Sequence, residues 1–298
     1  MKKFLIRCFN ALLYRGKLKW LPDKPFICLL YLTRMGKFPN LRNPKTYNEK
    51  LQWLKLHDRN PAYVPMVDKL KAKELVAQKI GSEYIIPTIR IWDSPQEICF
   101  DELPNQFVLK CNHNSGGVVV CRNKSELDQA KALAKLSRAF RENFFYRGRE
   151  WPYKNIEKKV FAEVYMEDKA TSELRDYKFF VFDGKVKALF VACGRIKSIK
   201  ELRFDFFDEN YQHLEVQRHY PKAAVPPQKP VNFEEMKRLA ETLGKDLPHV
   251  RIDFYEVDGK VYFGEYTFFS GSGIVPFEPE CWDEIFGSWL KLPKQTNE

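Results

Sequence analysis

Near the C-terminus two runs of β-forming residues flank an Asp-Gly pair, Arg251-Ile-Asp253-Phe-Tyr-Glu-Val257 before it and Lys260-Val-Tyr-Phe-Gly264-Glu265-Tyr-Thr267 after it. Asp-Gly between alternating apolar residues is the strongest short hairpin signal, so the fold must accommodate an antiparallel ladder here. Its register decides what the ladder can do, because a slip of one residue moves a whole set of side chains to the other face. A two-residue turn at Asp258-Gly259 would put Asp253 and Glu265 on opposite faces. A three-residue loop over 257 to 259, with Gly259 left-handed, aligns Arg251, Asp253, Glu265 and Thr267, and that loop is the expectation. Diagonal cross-strand neighbours lie about 7 to 8 Å apart, close enough for two carboxylates to converge on one hard cation. The opposite face, with Ile252, Phe254, Tyr262, Tyr266 and Phe268, is apolar. Acids opposite such a face need water or a cation, so an edge hairpin with solvated charges is the competing reading.

A second informative stretch is Phe107-Val-Leu-Lys110-Cys-Asn-His113-Asn-Ser115-Gly116-Gly117-Val-Val-Val-Cys121. A strand ends on one lysine, turns through a small polar loop with two glycines, and returns as an apolar strand. Glycine lets backbone N–H groups approach phosphate oxygens closely. The loop is not a Walker P-loop, which needs Gly-Lys-Ser/Thr opening a helix, and an ordinary glycine hairpin has the same pattern.

Between these landmarks the pattern alternates strands and helices, an α/β (α+β) chain. Residues 1 to 40 mix basic and apolar side chains and read as a helical lid or as an amphipathic segment on an anionic membrane surface. Thr46-Tyr-Asn-Glu49 is a capping box opening a helix through Leu56. Residues 67 to 80 carry Val67, Leu70, Leu75, Val76 and Ile80 at helical spacing before Gly81. Residues 85 to 91 read as a strand, 93 to 104 as loop and 124 to 146 as one amphipathic helix. Phe161-Ala-Glu163-Val-Tyr165-Met166 is a strand entering a polar loop. Residues 176 to 191 form a second Asp-Gly hairpin with Asp176 and Lys178 on one face, its return strand ending at Arg195. Residues 200 to 230 read as an irregular excursion, and 233 to 243 as a helix before Gly244. The organisation expected is an N-terminal helical segment over 1–80, a small lobe with the glycine loop over 81–162, and a C-terminal lobe over 163–298.

The 298 residues are 44% hydrophobic and 15% aromatic, which excludes disorder as the general state and provides for a large core. Fifty Lys and Arg against 39 Asp and Glu, a net +11, point to a negatively charged partner or substrate such as phosphates, an acidic glycan or an anionic membrane. Seven scattered cysteines without Cys-x-x-Cys spacing argue against a disulfide framework or a zinc site and suggest a reducing cytoplasm. No apolar run approaches 18 residues, and the start lacks a signal-peptide cleavage site.

Taken together these stretches resemble the ATP-grasp family, and within it the TupA-like branch associated with teichuronopeptide and other surface-polysaccharide biosynthesis. The resemblance runs through Leu21-Pro-Asp-Lys24, Asn43-Pro-Lys-Thr-Tyr-Asn-Glu-Lys50, Asp68-Lys69, Val108-Leu-Lys-Cys-Asn-His113, Asp176-Tyr-Lys-Phe179, Arg251-Ile-Asp253 and Gly264-Glu-Tyr-Thr267, in that order. It implies an ATP-grasp fold of two α+β lobes gripping ATP. Lys69 and Lys110 would contact ATP phosphates, with the 112 to 117 loop (His113, Ser115, Gly116, Gly117) folding over them as a mobile flap. Glu163, Tyr165 and Met166 would form the hinge whose backbone meets adenine, and Asp176 would take a ribose hydroxyl. Lys178, Arg195 and Arg251 would face phosphate, carboxylate or acyl phosphate, while Asp253, Glu265 and Thr267 would hold Mg²⁺. Many ATP-grasp enzymes have asparagine where Thr267 stands; the TupA-like branch shares the threonine.

The function this implies is an ATP- and Mg²⁺-dependent carboxylate–amine ligase, with a uronic acid of a surface glycan and an amino acid as substrates. A kinase would use the same ATP site with a hydroxyl acceptor. A glycosyltransferase of the same pathway is a further alternative, against which stands the absence of Asp-x-Asp. A nucleic-acid binder would explain +11 but not acids placed among the lysines, and no nucleic-acid partner is expected.

Overall fold

A computed structural model describes residues 9, 11–13, 17–169, 173–194 and 201–293. Helix α1 (Asp23–Met35) buries Phe26, Ile27, Leu30 and Tyr31 at helical spacing, so this part of the basic N-terminal region packs inward. The capping box forms as expected. The Thr46 hydroxyl accepts from Glu49 N at 3.3 Å and the Glu49 carboxylate accepts from Thr46 N at 3.4 Å, an arrangement worth about 1 kcal/mol. It opens α2 (Tyr47–His57).

The helix expected over 67 to 80 is broken instead into α3 (Tyr63–Val67) and α4 (Lys69–Ile80). Asp68 is extended and its carboxylate accepts from Leu70 N at 3.0 Å, capping α4. A side chain that can bond its own backbone two residues on favours a cap over a helix interior, and here it sets Lys69 at the first turn of a helix.

Four strands make a small antiparallel sheet: β1 (Thr88–Trp92), β2 (Phe107–Cys111), β3 (Val118–Cys121) and β4 (Val160–Val164), in the order β1-β4-β2-β3. Strand β1 starts later than expected, after Pro87, which has no N–H for a ladder. The side-chain alternation splits this sheet cleanly. Phe107, Leu109, Val119, Val160 and Ala162 form a core beneath helix α5 (Gln129–Arg141). Val108, Lys110, Val118, Val120, Phe161 and Glu163 occupy the other face, as the pairings Val108↔Glu163, Lys110↔Phe161 and Val108↔Val120 require. The single helix expected over 124 to 146 is not found: α5 stops at Arg141 and a short α6 (Phe145–Gly148) follows. At the start, Asn123 and Asp128 each accept a backbone N–H and cap separate turns.

The large sheet has the order β7-β6-β5-β8-β9, from β5 (Asp176–Phe182), β6 (Lys185–Cys193), β7 (Arg203–Asp208), β8 (His249–Val257) and β9 (Lys260–Thr267). Strand β7 corrects the irregular reading of 200 to 230: Phe206 and Phe207 are buried against the sheet. Helix α7 (Phe233–Leu243) lays Phe233, Met236, Leu239, Ala240 and Leu243 on one face of it, and α8 (Cys281–Trp289) packs beside α2 on the other. Among the described residues no helix is long and apolar enough to cross a membrane.

The C-terminal hairpin departs from the expected loop. Val257 pairs with Lys260, so the turn has two residues, and Asp258 (φ 49°) and Gly259 (φ 76°) are both left-handed, as a type I′ turn demands. The register is restored further along: Phe254 pairs with Phe263 but Asp253 with Glu265, leaving Gly264 as a bulge. A Cβ on Gly264 would lie 3.0 Å from Asp253 O. The acids share a face through the bulge, not through the loop.

Candidate active site

Register puts the charged residues of the large sheet at one end of one face. Lys178 lies opposite Asp253, Asp253 opposite Glu265, and Arg251 opposite Thr267. The guanidinium of Arg251 donates through Nε and Nη2 to the two oxygens of Asp253, both at 2.7 Å, the bidentate geometry a planar fork permits. Nη2 also reaches Glu265 Oε1 at 3.1 Å and Thr267 Oγ1 at 2.9 Å. Lys178 donates to Asp253 and lies 3.4 Å from Asp176. Burial opposes charge at Arg251, but the carboxylates of Asp253 and Glu265 hold its pKa above even the ordinary arginine value. Burial opposes charge at Glu265 as well, yet Lys69, Lys178 and Arg251 pull its carboxyl down to about 2. At Asp253 burial outweighs Arg251 and Lys178 and raises the carboxyl.

Two cavities meet there. The first, about 790 Å³, lies between the sheets and is lined by the open face of the small sheet together with Tyr165, Met166, Asp176, Lys178, Gly264 and Glu265. Its cations are arranged around one acid. Lys110 pairs with Glu163, and Lys73 donates to the other Glu163 oxygen at 2.9 Å. Burial works against the Glu163 charge, but these two lysines hold its carboxyl below the usual range. Lys69 donates to Asn114 O at 2.7 Å and stands 3.9 Å from Glu265. Burial lowers the Lys69 pKa, and neighbouring Lys110 adds to the shift.

The second cavity, about 880 Å³, opens on the far side of the same junction. Lys69, Ser115 and Glu265 line both. Arg251 and Thr267 face the second one only, with Glu150, Tyr153, Ser272 and Val275 along its wall. That wall rests on the polar stripe of α2, where Asn48, Gln52 and Lys55 are all buried. Asn48 Nδ2 donates to Val275 O at 3.1 Å, Gln52 to Gly273 O at 2.7 Å, and Lys55 to Ser272 O at 2.8 Å. These bonds hold a turn in which Gly271, Ser272 and Gly273 are left-handed in succession, with φ of 57°, 53° and 59°.

Of the residues singled out from sequence, the structure gathers Lys69, Lys110, Ser115, Gly116, Glu163, Tyr165, Met166, Asp176, Lys178 and Glu265 on the first cavity, and Arg251 and Thr267 on the second. Arg195 lies outside the described residues. His113 and Gly117 face neither cavity. The His113 ring is buried between Asn112 and Glu142 O, and burial pushes its pKa down to about 4. Gly117 packs against Asn114 and Ala139. Asn112 is tied to Asp68, Glu157 O and Lys159 N. Hydrogen bonds tie down Asn112 and His113 at one end of the 112 to 117 loop, and Asn114, Ser115 and Gly116 reach the cavities. Asp253 is fully buried behind Arg251 and Lys178 and lines neither cavity. Lys73 was missed, although it stands one helical turn from Lys69, on the same face. Lys55 and Glu150 were also missed, and nothing in their local sequence marks them.

Among the described residues no cluster of three or more His, Cys, Asp or Glu gathers as a metal site. A divalent cation that arrives with phosphates needs only one or two carboxylates from the protein. Glu265, with the Thr267 hydroxyl 3.3 Å away, offers hard oxygen donors of that kind, whereas both oxygens of Asp253, expected as a ligand, are held by Arg251.

The family model described as TupA-like ATPgrasp matches residues 49–291. Solved structures similar to this chain include a D-alanine–D-alanine ligase from Bacillus anthracis complexed with ATP, at 17% identity and TM-score 0.40, covering 84% of this chain and 63% of that one. The D-alanine–D-alanine ligase from Helicobacter pylori matches at 16% identity and TM-score 0.44, covering 83% and 69%. The ATP-grasp ligase PsnB, complexed with its minimal precursor, Mg and ADP, matches at 12% identity and TM-score 0.41, covering 82% and 66%. The chain spans 57% and 63% of the two Bacillus anthracis ligase structures it matches. No curated protein matches it.

Proposed function

The chain belongs to the TupA-like ATP-grasp family and has an ATP-grasp α+β fold of two antiparallel sheets, and from that premise we propose that it is an ATP-dependent carboxylate–amine ligase. The observation that carries this reading is the junction of two cavities at Lys69 and Glu265. A phosphoryl group bound between them is reached by ATP from one side and by an acceptor from the other. On this reading Lys69, Lys110 and Lys178 neutralise the phosphates, Tyr165 and Met166 border adenine, and Asp176 lies within reach of the ribose. Mg²⁺, which Glu265 and Thr267 would hold, would neutralise charge on the transferred group, the kind of electrostatic help phosphoryl transfer needs most.

Arg251 favours a carboxylate as the acceptor. Its guanidinium, held in place by Asp253, borders the second cavity as a fixed positive charge. A neutral sugar hydroxyl would gain little from such a group. The acceptor carboxylate attacks the γ-phosphorus, forming an acyl phosphate and ADP; an amine then attacks the acyl carbon and expels phosphate. The proposed substrates are a uronic acid of a surface polysaccharide and an amino acid, handled in the cytoplasm where ATP is available. The net charge of +11 suits the acid. Incubation with MgATP, glucuronate or galacturonate and a mixture of amino acids should release ADP and phosphate and yield an amide by mass spectrometry. A stable phosphorylated sugar as the end product would make the protein a kinase on the same fold.

A further inference from the structure

Below the acceptor cavity lies a charged group that the ligase reading leaves unused. Lys55 is completely buried on α2. Its ammonium donates to Gln52 Oε1 at 3.0 Å, Ser272 O at 2.8 Å and Ser272 Oγ at 2.9 Å, which accounts for all three protons. Burying an ammonium costs several kcal/mol, which only such hydrogen bonds and nearby opposite charge offset. The Ser272 hydroxyl accepts from Lys55 and has its own proton to give. The acid it faces is Glu150, which is 6% exposed and lines the cavity. Ser272 is held there in a left-handed conformation that only a few residue types adopt readily.

Glu150 is not simply the counter-ion of Lys55. No ion pair within 4.0 Å joins the two among the described residues, and the lysine protons are already committed elsewhere. Nor does an acid on this wall help a carboxylate substrate, which it would repel. Resting on the ligase reading, we propose that Glu150 receives the amine substrate in the acceptor cavity and takes its proton, with Ser272 and Lys55 as the positioning residues behind it. The amine arrives as an ammonium ion and binds the Glu150 carboxylate. One proton passes to Glu150, leaving a neutral nitrogen. Its lone pair forms the C–N bond to the acyl carbon, the bond from that carbon to the phosphate oxygen breaks, and the second proton leaves on the phosphate. Burial raises the pKa of Glu150 despite Lys55 and Arg251, which makes it a stronger base than an exposed glutamate. Burial also pushes Lys55 down to about 8 despite Glu150.

The test compares two nucleophiles in the same assay. Hydroxylamine is neutral at neutral pH and reports acyl phosphate formation alone, as hydroxamate; an amino acid must first lose a proton. With MgATP and the uronates above, Glu150→Gln should form hydroxamate at the wild-type rate while amide formation falls about 100-fold or more. The nucleotide-induced rise in Tm with the non-hydrolysable analogue AMP-PNP should match wild type. If Glu150→Gln alone does not fold, the double variant Lys55→Met with Glu150→Gln removes both buried charges together and is read the same way. Amide formed at the wild-type rate, equal loss of hydroxamate and amide, or failure of both variants to fold would each overturn the assignment. A wild-type protein that makes neither hydroxamate nor amide overturns the ligase reading itself, and this one with it.

Discussion

The two cavities that share Glu265 are walled in different ways. The nucleotide side is built from strands, whose period of two sends Val108, Lys110, Phe161 and Glu163 to one face without help from anything distant. The acceptor side is built from a helix and a turn more than 200 residues apart, with Asn48, Gln52 and Lys55 gripping the carbonyls of 272 to 275. In the first, the local pattern aims the side chains. In the second, a strained turn survives because buried hydrogen bonds from another element over-determine it. The two walls should therefore fail differently.

Gly273→Ala is the sharpest way to separate them. Its φ is +59°, and a Cβ would lie 2.3 Å from Gln52 Nε2 and 2.9 Å from Leu51 Cβ. Strain and overpacking together should cost about 3 kcal/mol or more, seen as a lower denaturation midpoint. The matching change on the nucleotide side, Gly116→Ala, has φ +98° but open space around the new Cβ. It should cost only about 1 to 2 kcal/mol. Equal losses in the two variants would erase the distinction.

Lys110→Ala probes the strand-built wall directly. Glu163 keeps Lys73 as a partner, so the fold should tolerate the loss and Tm should hardly move. ATP affinity should fall about tenfold or more, roughly 1.4 kcal/mol per decade, in a titration with a fluorescent ATP analogue. A variant that unfolds instead would make Lys110 a structural residue.

A pH dependence is seated under the acceptor wall. His249 is buried against Tyr47 of α2, its Nε2 2.9 Å from the Tyr47 hydroxyl and its Nδ1 2.8 Å from Val181 O. Burial pushes its pKa down to about 3, against about 6.5 in an unfolded chain. The unfolded state thus binds a proton that the native state refuses. Stability is complete above about pH 6.5 and falls as pH drops towards 3, by up to about 1.4 kcal/mol per unit. Chemical denaturation between pH 7 and 5 should show this slope in the wild type and a flatter one in His249→Gln. An unchanged slope would place the acid sensitivity elsewhere.

Much of the nucleotide side was legible in the residues themselves. Lys110 at a strand end, Gly116 in a polar loop, and Asp176 and Lys178 two apart are local patterns, and each lies where its pattern puts it; so does the capping box at Thr46, on the helix behind the acceptor wall. The alignment of Arg251, Asp253, Glu265 and Thr267 was also right, but for the wrong reason. Asp-Gly specifies a two-residue turn, and the compensating bulge at Gly264 depends on how β9 packs across Asp253 and Tyr255. The break at Asp68 and the two caps at Asn123 and Asp128 were written in side chains that bond their own backbone, and periodicity overrode them.

What the sequence determined by itself was the set of chemistries available: lysines and acids at strand spacing, a glycine loop, and an Asp-Gly ladder. Only the tertiary structure decided which of them meet. Lys55, Glu150 and Ser272 stand far apart in the chain, and no periodicity links them. Lys55 even reads as a solvent-facing helix lysine until α2 docks against the 270 to 273 turn and buries it. Strand alternation is a property of neighbouring residues and can be read along the chain. A buried ammonium depends on what packs over it, which the chain shows only when folded.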